Sequence, residues 1–315
     1  MDVATPGPAA PSAYAMKMGP ILVSLRPEQW TKNLVLLAAL AFSKHLFETG
    51  PLLRALLGFG LFCGLSGAVY LLNDVADRER DRMHPLKRLR PVASGALPPR
   101  TAVGLAALIG LACLALSFVL GLPFAACALL YLALNLLYSF SLKEVVILDV
   151  LAISMGFVLR AVAGAMAIGV LISEWLLICT ILLALFLTLS KRRHELTSLN
   201  DSAMDHRPTL QEYSPYLLDQ MIAVVTPSCV MAYAFYTLAQ ETRDKFQTDR
   251  LAWTIPFVLY GVFRYLYLVH RKEQGGSPTD MLLTDRPLLI DVFLWATTVV
   301  LIIYTAKGLP VPMGR

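Results

Sequence analysis

The sequence predicts an all-α, polytopic membrane protein with nine transmembrane helices. Of its 315 residues, 57% are hydrophobic and only 16% are charged, whereas a soluble domain carries about 25% charged residues. The apolar residues also form runs of about 20, the number that a helix needs to cross roughly 30 Å of hydrocarbon. Such runs differ from the alternating ten-residue strands of a membrane barrel. Together these observations exclude a soluble globular protein.

The apolar runs define the domain organisation. Residues 1–20 are rich in Ala and Pro and lack the apolar core of a secretory signal peptide, so we expect a short disordered lead there. The transmembrane domain is expected over residues 21–306, with a short tail over 307–315. The nine predicted spans cover residues 30–47, 51–73, 101–120, 122–140, 145–168, 173–190, 215–239, 251–270 and 287–306.

The connections between the spans predict the orientation of the bundle. Three are long and polar, and by alternation they share one side with the N-terminus and the turn at 140–145. That side carries eighteen of the 27 Lys and Arg residues, and the other side carries seven. Because cytoplasmic loops are enriched in Lys and Arg, we expect a multi-pass protein of the plasma membrane with these loops in the cytoplasm. The three long connections are residues 74–100, 191–214 and 271–286.

An acidic segment, VYLLNDVADRERDRMHPLKRLRPVASG, ends the second span and covers residues 69–95. On a helix at 100° per residue, Asn73, Asp74, Asp77 and Asp81 share an arc of about 100°. Crowded carboxylates are costly unless a cation lies among them, and oxygen ligands without His or Cys suit Mg²⁺. Because Mg²⁺ binds one or two carboxylates together with substrate phosphates, the pattern indicates a Mg²⁺ site for a diphosphate.

A simpler interpretation of this segment stays open. The Asp residues could lie on a solvated helix end and pair with the interleaved arginines. A solvated helix end, however, does not require all the Asp residues to share one arc. The basic residues that follow could hold phosphate oxygens or serve only the positive-inside rule. The arginines within the segment are Arg78, Arg80 and Arg82, and the basic residues that follow are Lys87, Arg88 and Arg90.

A basic cluster follows the sixth span, in the segment LTLSKRRHELTSLNDSAMDHRPTLQEYSP of residues 187–215. Lys191, Arg192 and Arg193 are adjacent, with Glu195 behind them and Arg207 further along. Three adjacent cations at a membrane surface fit contact with anionic lipids, and they equally fit a clamp for a substrate phosphate. The sequence leaves open which phosphate such a clamp holds.

Three further polar residues stand out near the spans. Tyr138 and Lys143 lie at the turn after the fourth span, either as an interfacial Tyr and a topology Lys or as part of a site. Arg160 lies within a span, where a charge is costly and needs a partner. Asp149 is on the same helix face but about 16 Å away, so we expect a partner on another helix or a bound phosphate.

The NDxxDxxxD motif at residues 73–81, the nine spans and the basic segment after the motif resemble the UbiA-type intramembrane prenyltransferase superfamily. The resemblance runs from about residue 20 to residue 306. Most members have a second acidic motif after the sixth span, where this sequence has its basic cluster. One branch, the decaprenyl-phosphate phosphoribosyltransferases, is similar over several strings: RPEQWTKN (26–33), YSFSLK (138–143), VILDVLAISMGFVLRAVAGA (146–165), SKRRHEL (190–196), HRPTLQEYSP (206–215) and SPTDMLLTDRPLLIDVFLW (277–295).

The resemblance implies a Mg²⁺-dependent pentosyltransferase. It would move the 5-phosphoribosyl group from phosphoribosyl diphosphate to polyprenyl (decaprenyl) phosphate, with release of diphosphate, and the product would feed cell-wall arabinan synthesis. The implied catalytic residues are the metal ligands Asp74, Asp77 and Asp81, together with Lys143. The implied substrate-binding residues are Lys32, Asn73, Lys87, Arg90, Tyr138, Arg160, Lys191, Arg192, Arg193, Glu195 and Arg207.

Other functions remain as alternatives at this point. A UbiA-type enzyme that transfers a prenyl group to an aromatic acceptor in quinone or haem synthesis would keep the Mg²⁺ site but favour a second acidic motif. A transporter would place polar groups through the depth of the bundle, whereas these motifs gather at one face. We expect membrane lipids and the two phosphorylated substrates as partners and no nucleic acid, and a homo-oligomer stays open.

Overall fold

The computed structural model describes residues 19–85, 87–198, 209–271 and 278–306, and its regular structure is helical throughout these ranges. The α-helices are α1 (Pro20–Leu25), α2 (Ala38–Ala41), α3 (Thr49–Ala76), α4 (Arg78–Met83), α5 (Pro91–Ser94), α6 (Pro99–Ser117), α7 (Leu122–Phe140), α8 (Leu148–Ile168), α9 (Glu174–Ser198), α10 (Thr209–Glu212), α11 (Pro215–Leu238), α12 (Gln240–Phe246), α13 (Ile255–Arg271), α14 (Pro278–Thr284) and α15 (Arg286–Thr305). Short 3₁₀ helices cover Pro27–Leu37, Lys87–Leu89, Phe118–Leu120, Leu142–Glu144 and Arg250–Thr254.

Eight of the described helical segments are long and apolar enough to cross a membrane. They are built on α3, α6, α7, α8, α9, α11, α13 and α15, and each coincides with a predicted span. The all-α, polytopic prediction is therefore confirmed. The helix α9 continues to Ser198, past the predicted end at residue 190, so the basic cluster lies on a helix and not in the loop that the sequence suggested.

The first predicted span, residues 30–47, differs from the other eight. It forms the 3₁₀ helix Pro27–Leu37 and the single turn α2 in place of one long α-helix. The segment still runs the height of the bundle: Arg26 contacts Asp74 at one end, and the Leu46 N–H donates to Tyr304 Oη at 2.9 Å at the other. Because a 3₁₀ helix is stable only with support, neighbouring contacts must hold this segment in place.

Close backbone packing supplies part of that support. A Cβ added at Gly164 on α8 would collide with the backbone carbonyl of Leu36. Only glycine therefore lets the 3₁₀ helix lie directly against α8. The same segment also packs on α3, so it is wedged between two spans.

Local signals in the sequence set several helix ends. The Ser214 hydroxyl accepts a hydrogen bond from the Leu217 N–H at 3.1 Å and Asp285 accepts one from Leu288 at 3.0 Å, so both are N-caps. Gly169 ends α8 in the left-handed conformation, at φ 71°, as is common where a helix stops sharply. The two N-caps fix the residues at which α11 and α15 begin. Gly169 ends α8 five residues before α9 begins, so the connection between these helices is short.

The spans form one bundle whose two ends differ. Extensive packing occurs between α3 and α6, between α7 and α8, and along the series α8, α9 and α11. One end carries the short elements of the chain, and we call it the loop end. These elements are α4, α5, α10, α14 and Leu142–Glu144. Most of the candidate site residues lie at this end.

Candidate functional site

The acidic residues after α3 converge on shared arginines at the loop end. Arg90 Nη1 lies 3.2 Å from Asp74 Oδ1 and 2.6 Å from Asp81 Oδ2. Arg26 also contacts Asp74 Oδ1. Both carboxylates are buried, at 1% and 3% exposure. Asp74 and Asp81 therefore share Arg90, and Arg26 adds a second positive charge beside Asp74. We call Asn73, Asp74, Asp77 and Asp81 the acidic strip.

The remaining members of the strip face the turn between α7 and α8. Lys143 Nζ lies 2.8 Å from Asp77 Oδ1, so the predicted Asp and Lys meet across the bundle. The Ser139 hydroxyl on α7 donates to the side-chain oxygen of Asn73. These contacts fix α7 and its turn against the acidic segment.

The acidic residues fit a divalent cation by their chemistry. Carboxylate oxygens are the ligands that Mg²⁺ prefers, and Asp74 Oδ2 is buried without a hydrogen-bond partner. One nitrogen of Arg90 occupies the space that Asp74 and Asp81 both face. Among the described residues, no three His, Cys, Asp or Glu side chains are grouped to hold a metal as they now lie. The donor set is suitable, but arginine and lysine are its present partners.

Arg160 is buried in α8 and bound by neutral groups. Its guanidinium donates to Asn33 Oδ1 at 2.7 Å, to Tyr131 Oη at 2.8 Å and to the Gly156 carbonyl at 2.9 Å. The described chain supplies no carboxylate within ion-pair distance of it. The expected partner on another segment is present, but a buried positive charge stays uncompensated, and an anion is the ligand that such a site favours.

Further positive charge surrounds this arginine. Lys32 is half-buried. Three positive charges act on it, those of Lys191, Arg160 and Arg26, and the carboxylate of Glu28 has a smaller effect. Lys191 lies 3.8 Å from Glu195 on its own helix. Cations from the 3₁₀ helix, α8 and α9 therefore converge beside the acidic strip, and we call Lys32, Arg160 and Lys191 the cation group.

The three adjacent cations of α9 do not form one clamp. Lys191 belongs to the cation group, whereas Arg193 Nε pairs with Asp219 Oδ1 on α11 at 2.5 Å. Arg192 lies between them and is 2% exposed. Successive helical residues point about 100° apart, so adjacency in sequence separates these side chains in space.

Arg192 belongs to a buried polar network. Its Nε lies 2.9 Å from Asp149 Oδ2 and its Nη1 lies 2.6 Å from Glu195 Oε2. The Tyr213 hydroxyl donates to Asp149 Oδ1 and accepts from the Ile147 N–H, each at 2.8 Å. Burial raises the pKa of Tyr213 to about 12, so the phenol keeps the proton that it donates. The network joins α8, α9 and the link between α10 and α11.

Two other predicted residues, Tyr138 and Lys87, lie on described elements at the loop end. Tyr138 is half-buried at the end of α7 and lies within electrostatic range of Arg192. Lys87 begins the 3₁₀ helix after α4, and its backbone N–H donates to His84 Nδ1 at 3.3 Å. Arg207 lies outside the described residues. The structure therefore places Tyr138 beside the network of α9.

Sequence reasoning missed several residues that the structure places in the site. Arg26 was visible only as part of the string RPEQWTKN, and its contact with Asp74 joins positions 48 residues apart. Asn33 and Tyr131 looked like ordinary residues within apolar runs, and Tyr213 gave no separate signal. A polar residue in an apolar run is a usable signal, because burying it requires a partner.

Comparison of the sequence with models of protein families identifies the class of protein. Residues 34–284 match the model of the UbiA prenyltransferase family. The chain belongs to this family.

The similarity to particular family members is closer. The chain is 34% identical to a decaprenyl-phosphate phosphoribosyltransferase of Corynebacterium glutamicum over 291 residues, which are 90% of this chain and 86% of that protein. It is 31% identical to the protein of the same name from Mycolicibacterium smegmatis, over 90% of this chain and 92% of that one.

Solved structures agree on the fold. A UbiA homologue from Archaeoglobus fulgidus bound to DMAPP and Mg²⁺ superimposes with a TM-score of 0.70 at 18% identity, covering 91% of this chain and all of that one. The same homologue bound to GPP and Mg²⁺ gives the same TM-score, at 20% identity. At this identity the likeness concerns the fold alone.

Proposed function

We propose that the protein transfers a 5-phosphoribosyl group from phosphoribosyl diphosphate to polyprenyl phosphate, the activity named for its relatives in Corynebacterium and Mycolicibacterium. The observation that carries the proposal is the pairing of a buried carboxylate strip with the cation group at the same end of the bundle. The strip suits a metal-bound diphosphate, and the cations suit a further phosphate. A substrate pair with several phosphates would bind at both the acidic strip and the cation group.

The carboxylates serve the donor. Asp74, Asp77 and Asp81 would hold Mg²⁺, which when bound supplies positive charge to the departing diphosphate. Asn73 orients the strip through its bond from Ser139. Arg90 lies among the carboxylates and is placed to contact diphosphate oxygens, where preorganised cations favour the charge that develops on the leaving group.

The cation group holds the second phosphate of the site. Arg160 and Lys32 bring positive charge to a half-buried place where water screens it little. Lys191 approaches from α9, and the buried ion pairs of Arg192 with Asp149 and Glu195 keep that helix in position. Arg192 and Glu195 therefore act as positioning residues in this proposal.

Lys143 serves the acceptor. Its ammonium group, now 2.8 Å from Asp77, lies at the turn where it can orient the phosphate of the lipid. A phosphate monoester is already ionised at pH 7, since its second pKa is about 6, so the attack needs no general base. A phosphate oxygen of the lipid forms a bond to ribose C1 as the bond from C1 to diphosphate breaks. The products are polyprenylphosphoryl-5-phosphoribose and diphosphate.

The loop end is proposed to face the cytoplasm, where a soluble, anionic donor can reach it. The excess of Lys and Arg in the long connections supports this orientation. The lipid acceptor reaches the same place from the bilayer. A site at the mouth of a membrane bundle thus gives both substrates access.

A labelled-donor assay tests the proposed function. Membranes containing the protein are incubated with radiolabelled phosphoribosyl diphosphate, with and without polyprenyl phosphate and with Mg²⁺ or a chelator. We expect label in an organic-extractable lipid only when the acceptor and Mg²⁺ are both present. Absence of labelled lipid, together with prenyl transfer to an aromatic acid, would assign the protein to the aromatic prenyltransferases.

A further inference from the structure

A lateral groove of about 640 Å³ lies between α11 and α13, near the loop end. Ala223 and Pro227 on α11 and Leu266 and Tyr267 on α13 contribute apolar surface to its walls. Ala223, Pro227 and Tyr267 are exposed on the outside of the bundle. The groove therefore opens on the surface that the hydrocarbon chains of a bilayer would cover.

One end of the groove is polar and carries an arginine. His270 and Arg271 line this end and both are exposed. Asp219 lines it as well, and its Oδ1 lies 3.2 Å from His270 Nε2 and 2.5 Å from Arg193 Nε. Asp219 is the one carboxylate among the described residues that line the groove, and it faces two arginine charges, those of Arg193 and Arg271.

A proline inside α11 lies in the apolar part of the groove. Pro227 lies inside the helix and has no N–H, so it cannot donate to the carbonyl of Ala223 as a helical residue would. Both residues line the groove. The Ala223 carbonyl therefore lacks its usual helical donor at the position where the groove lies.

The groove is separate from the candidate active site. Arg193 pairs with Asp219, which lines the groove, whereas Lys191 belongs to the cation group. Arg192 lies between them in sequence and is 2% exposed, so it is buried between the two sides. A phosphate at His270 and Arg271 would therefore lie on the far side of α9 and α11 from the acidic strip. The occupant of the groove is not the phosphate that reacts.

We propose that this groove binds an anionic glycerophospholipid of the surrounding bilayer. The lipid phosphate contacts Arg271 and His270, and one acyl chain lies along the apolar wall between α11 and α13. Basic pockets between transmembrane helices at the cytoplasmic surface have the charge and the depth that an anionic headgroup needs. Asp219 opposes binding, because its carboxylate competes with the lipid phosphate for His270.

Native mass spectrometry of the purified full chain tests the proposal. The protein is titrated with phosphatidylglycerol and, separately, with phosphatidylcholine of the same acyl chains, and retained lipid is measured. We expect preferential retention of phosphatidylglycerol. The double variant His270→Gln/Arg271→Gln should lower that retention at least about fivefold, since the loss of the Arg271 charge near a membrane surface weakens binding by about 1 kcal/mol.

Two further variants sharpen the result. Arg100→Gln removes an exposed cation at the same end of the bundle, away from the groove, and should leave retention unchanged. Asp219→Asn removes the opposing carboxylate and should raise retention, which a merely unfolded variant could not do. Equal retention of the two lipids, or equal losses in Arg100→Gln and the double variant, would overturn the proposal. So would an oligomer that dissociates in the double variant without any change in lipid retention, because the groove would then join two copies of the chain.

Discussion

At the scale of single residues, Arg160 links the fold to the proposed chemistry most directly. Its three hydrogen bonds reach the 3₁₀ helix, α7 and its own helix, so one guanidinium joins three segments. Tyr131 also places its ring under the guanidinium, at 4.7 Å. The planar guanidinium has five N–H donors and so can bind all three acceptors at once, which a lysine ammonium at this position cannot do.

Arg160→Lys tests this arrangement. The charge is kept, but the bonds to Asn33 and Tyr131 are lost, so the cation should no longer be held in place for a phosphate. We expect KM for one phosphorylated substrate to rise about tenfold, equivalent to 1.4 kcal/mol, with a smaller effect on kcat. Steady-state kinetics of lipid labelling measure both values.

A matched arginine separates binding from stability. Arg54 on α3 also donates to backbone carbonyls, those of Ala167 and Leu120, but it lies at the opposite end of the bundle. Arg54→Lys should lower the melting temperature and leave KM unchanged. Equal KM values in the wild type and Arg160→Lys would show that Arg160 only stabilises the fold.

The sequence predicted which acidic residues belong to the candidate site better than it predicted the side chains that pair with them. The spacing predicted that Asp74 and Asp81 lie close together, and they share Arg90, whereas Asp77 lies between α3 and α4 and pairs with Lys143. Their partners were not predictable, since Arg26 and Lys143 reach them across the fold. Ile147 shows the same limit: its φ of 69° is unusual for a β-branched residue and depends on the distant Tyr213 hydroxyl.

At the scale of elements, the 3₁₀ helix Pro27–Leu37 is the segment that differs most from its predicted form. Hydropathy measures apolar length, and it correctly found an apolar segment that runs through the bundle. It does not distinguish an α-helix from a 3₁₀ helix supported by its neighbours. The support comes from close contact with α8 at Gly164 and from the side-chain bonds of Asn33.

Gly164→Ala should disturb this element. The added methyl group would meet the Leu36 carbonyl, and relief requires the 3₁₀ helix to move away from α8. We expect a loss of roughly 1–3 kcal/mol in stability, seen as a lower melting temperature, and reduced transfer because Lys32 moves with the helix. Gly60→Ala is the control, since no atom lies within 4 Å of a Cβ there. Equal melting temperatures for the two variants would contradict the wedged arrangement.

The N-cap of α15 predicts a pH dependence. The hydrogen bond from Arg264 lowers the pKa of Asp285, so this carboxylate stays charged in the folded protein at pH values where it is protonated in the unfolded chain. Its contribution to stability is present above the unfolded pKa of about 3.9 and is lost as pH falls through the lower, folded value. Asp285→Asn keeps a cap but should remove this part of the acid dependence of the melting temperature.

A neutral cap provides the comparison. Ser214 caps α11 through its hydroxyl, which has no charge to lose. Ser214→Ala should cost about 1 kcal/mol at every pH. If Asp285→Asn and the wild type lose stability in parallel under acid, the ion pair with Arg264 contributes nothing to it.

At the scale of the whole molecule, the sequence predicted the architecture well and the site only in outline. Eight spans were found because about 20 apolar residues are needed wherever a helix crosses lipid. The basic cluster was placed in a loop because charge ends an apolar run, although α9 continues through it for two turns. That continuation sends Lys191, Arg192 and Arg193 in three directions and separates the lipid-facing groove from the cation group.

Orientation in the membrane is a testable property of the whole chain. Met83 at the loop end and Leu171 at the other end are 84% and 89% exposed. With a membrane-impermeant maleimide added to intact cells, Leu171→Cys should be labelled at once and Met83→Cys only after permeabilisation. The wild type gives the background from its five cysteines. The reverse pattern would place the site on the outer face.

The central claim is that the acidic strip drives transfer of phosphoribose to a lipid phosphate. The most direct measurement follows diphosphate release and lipid-linked phosphoribose together, with the purified protein reconstituted in vesicles with Mg²⁺. We predict equal amounts of the two products in the wild type, a loss of both by about 100-fold in Asp74→Asn, and no change in Glu79→Gln, whose carboxylate is exposed on α4. Diphosphate release without lipid-linked product, or a normal rate in Asp74→Asn, would contradict the account.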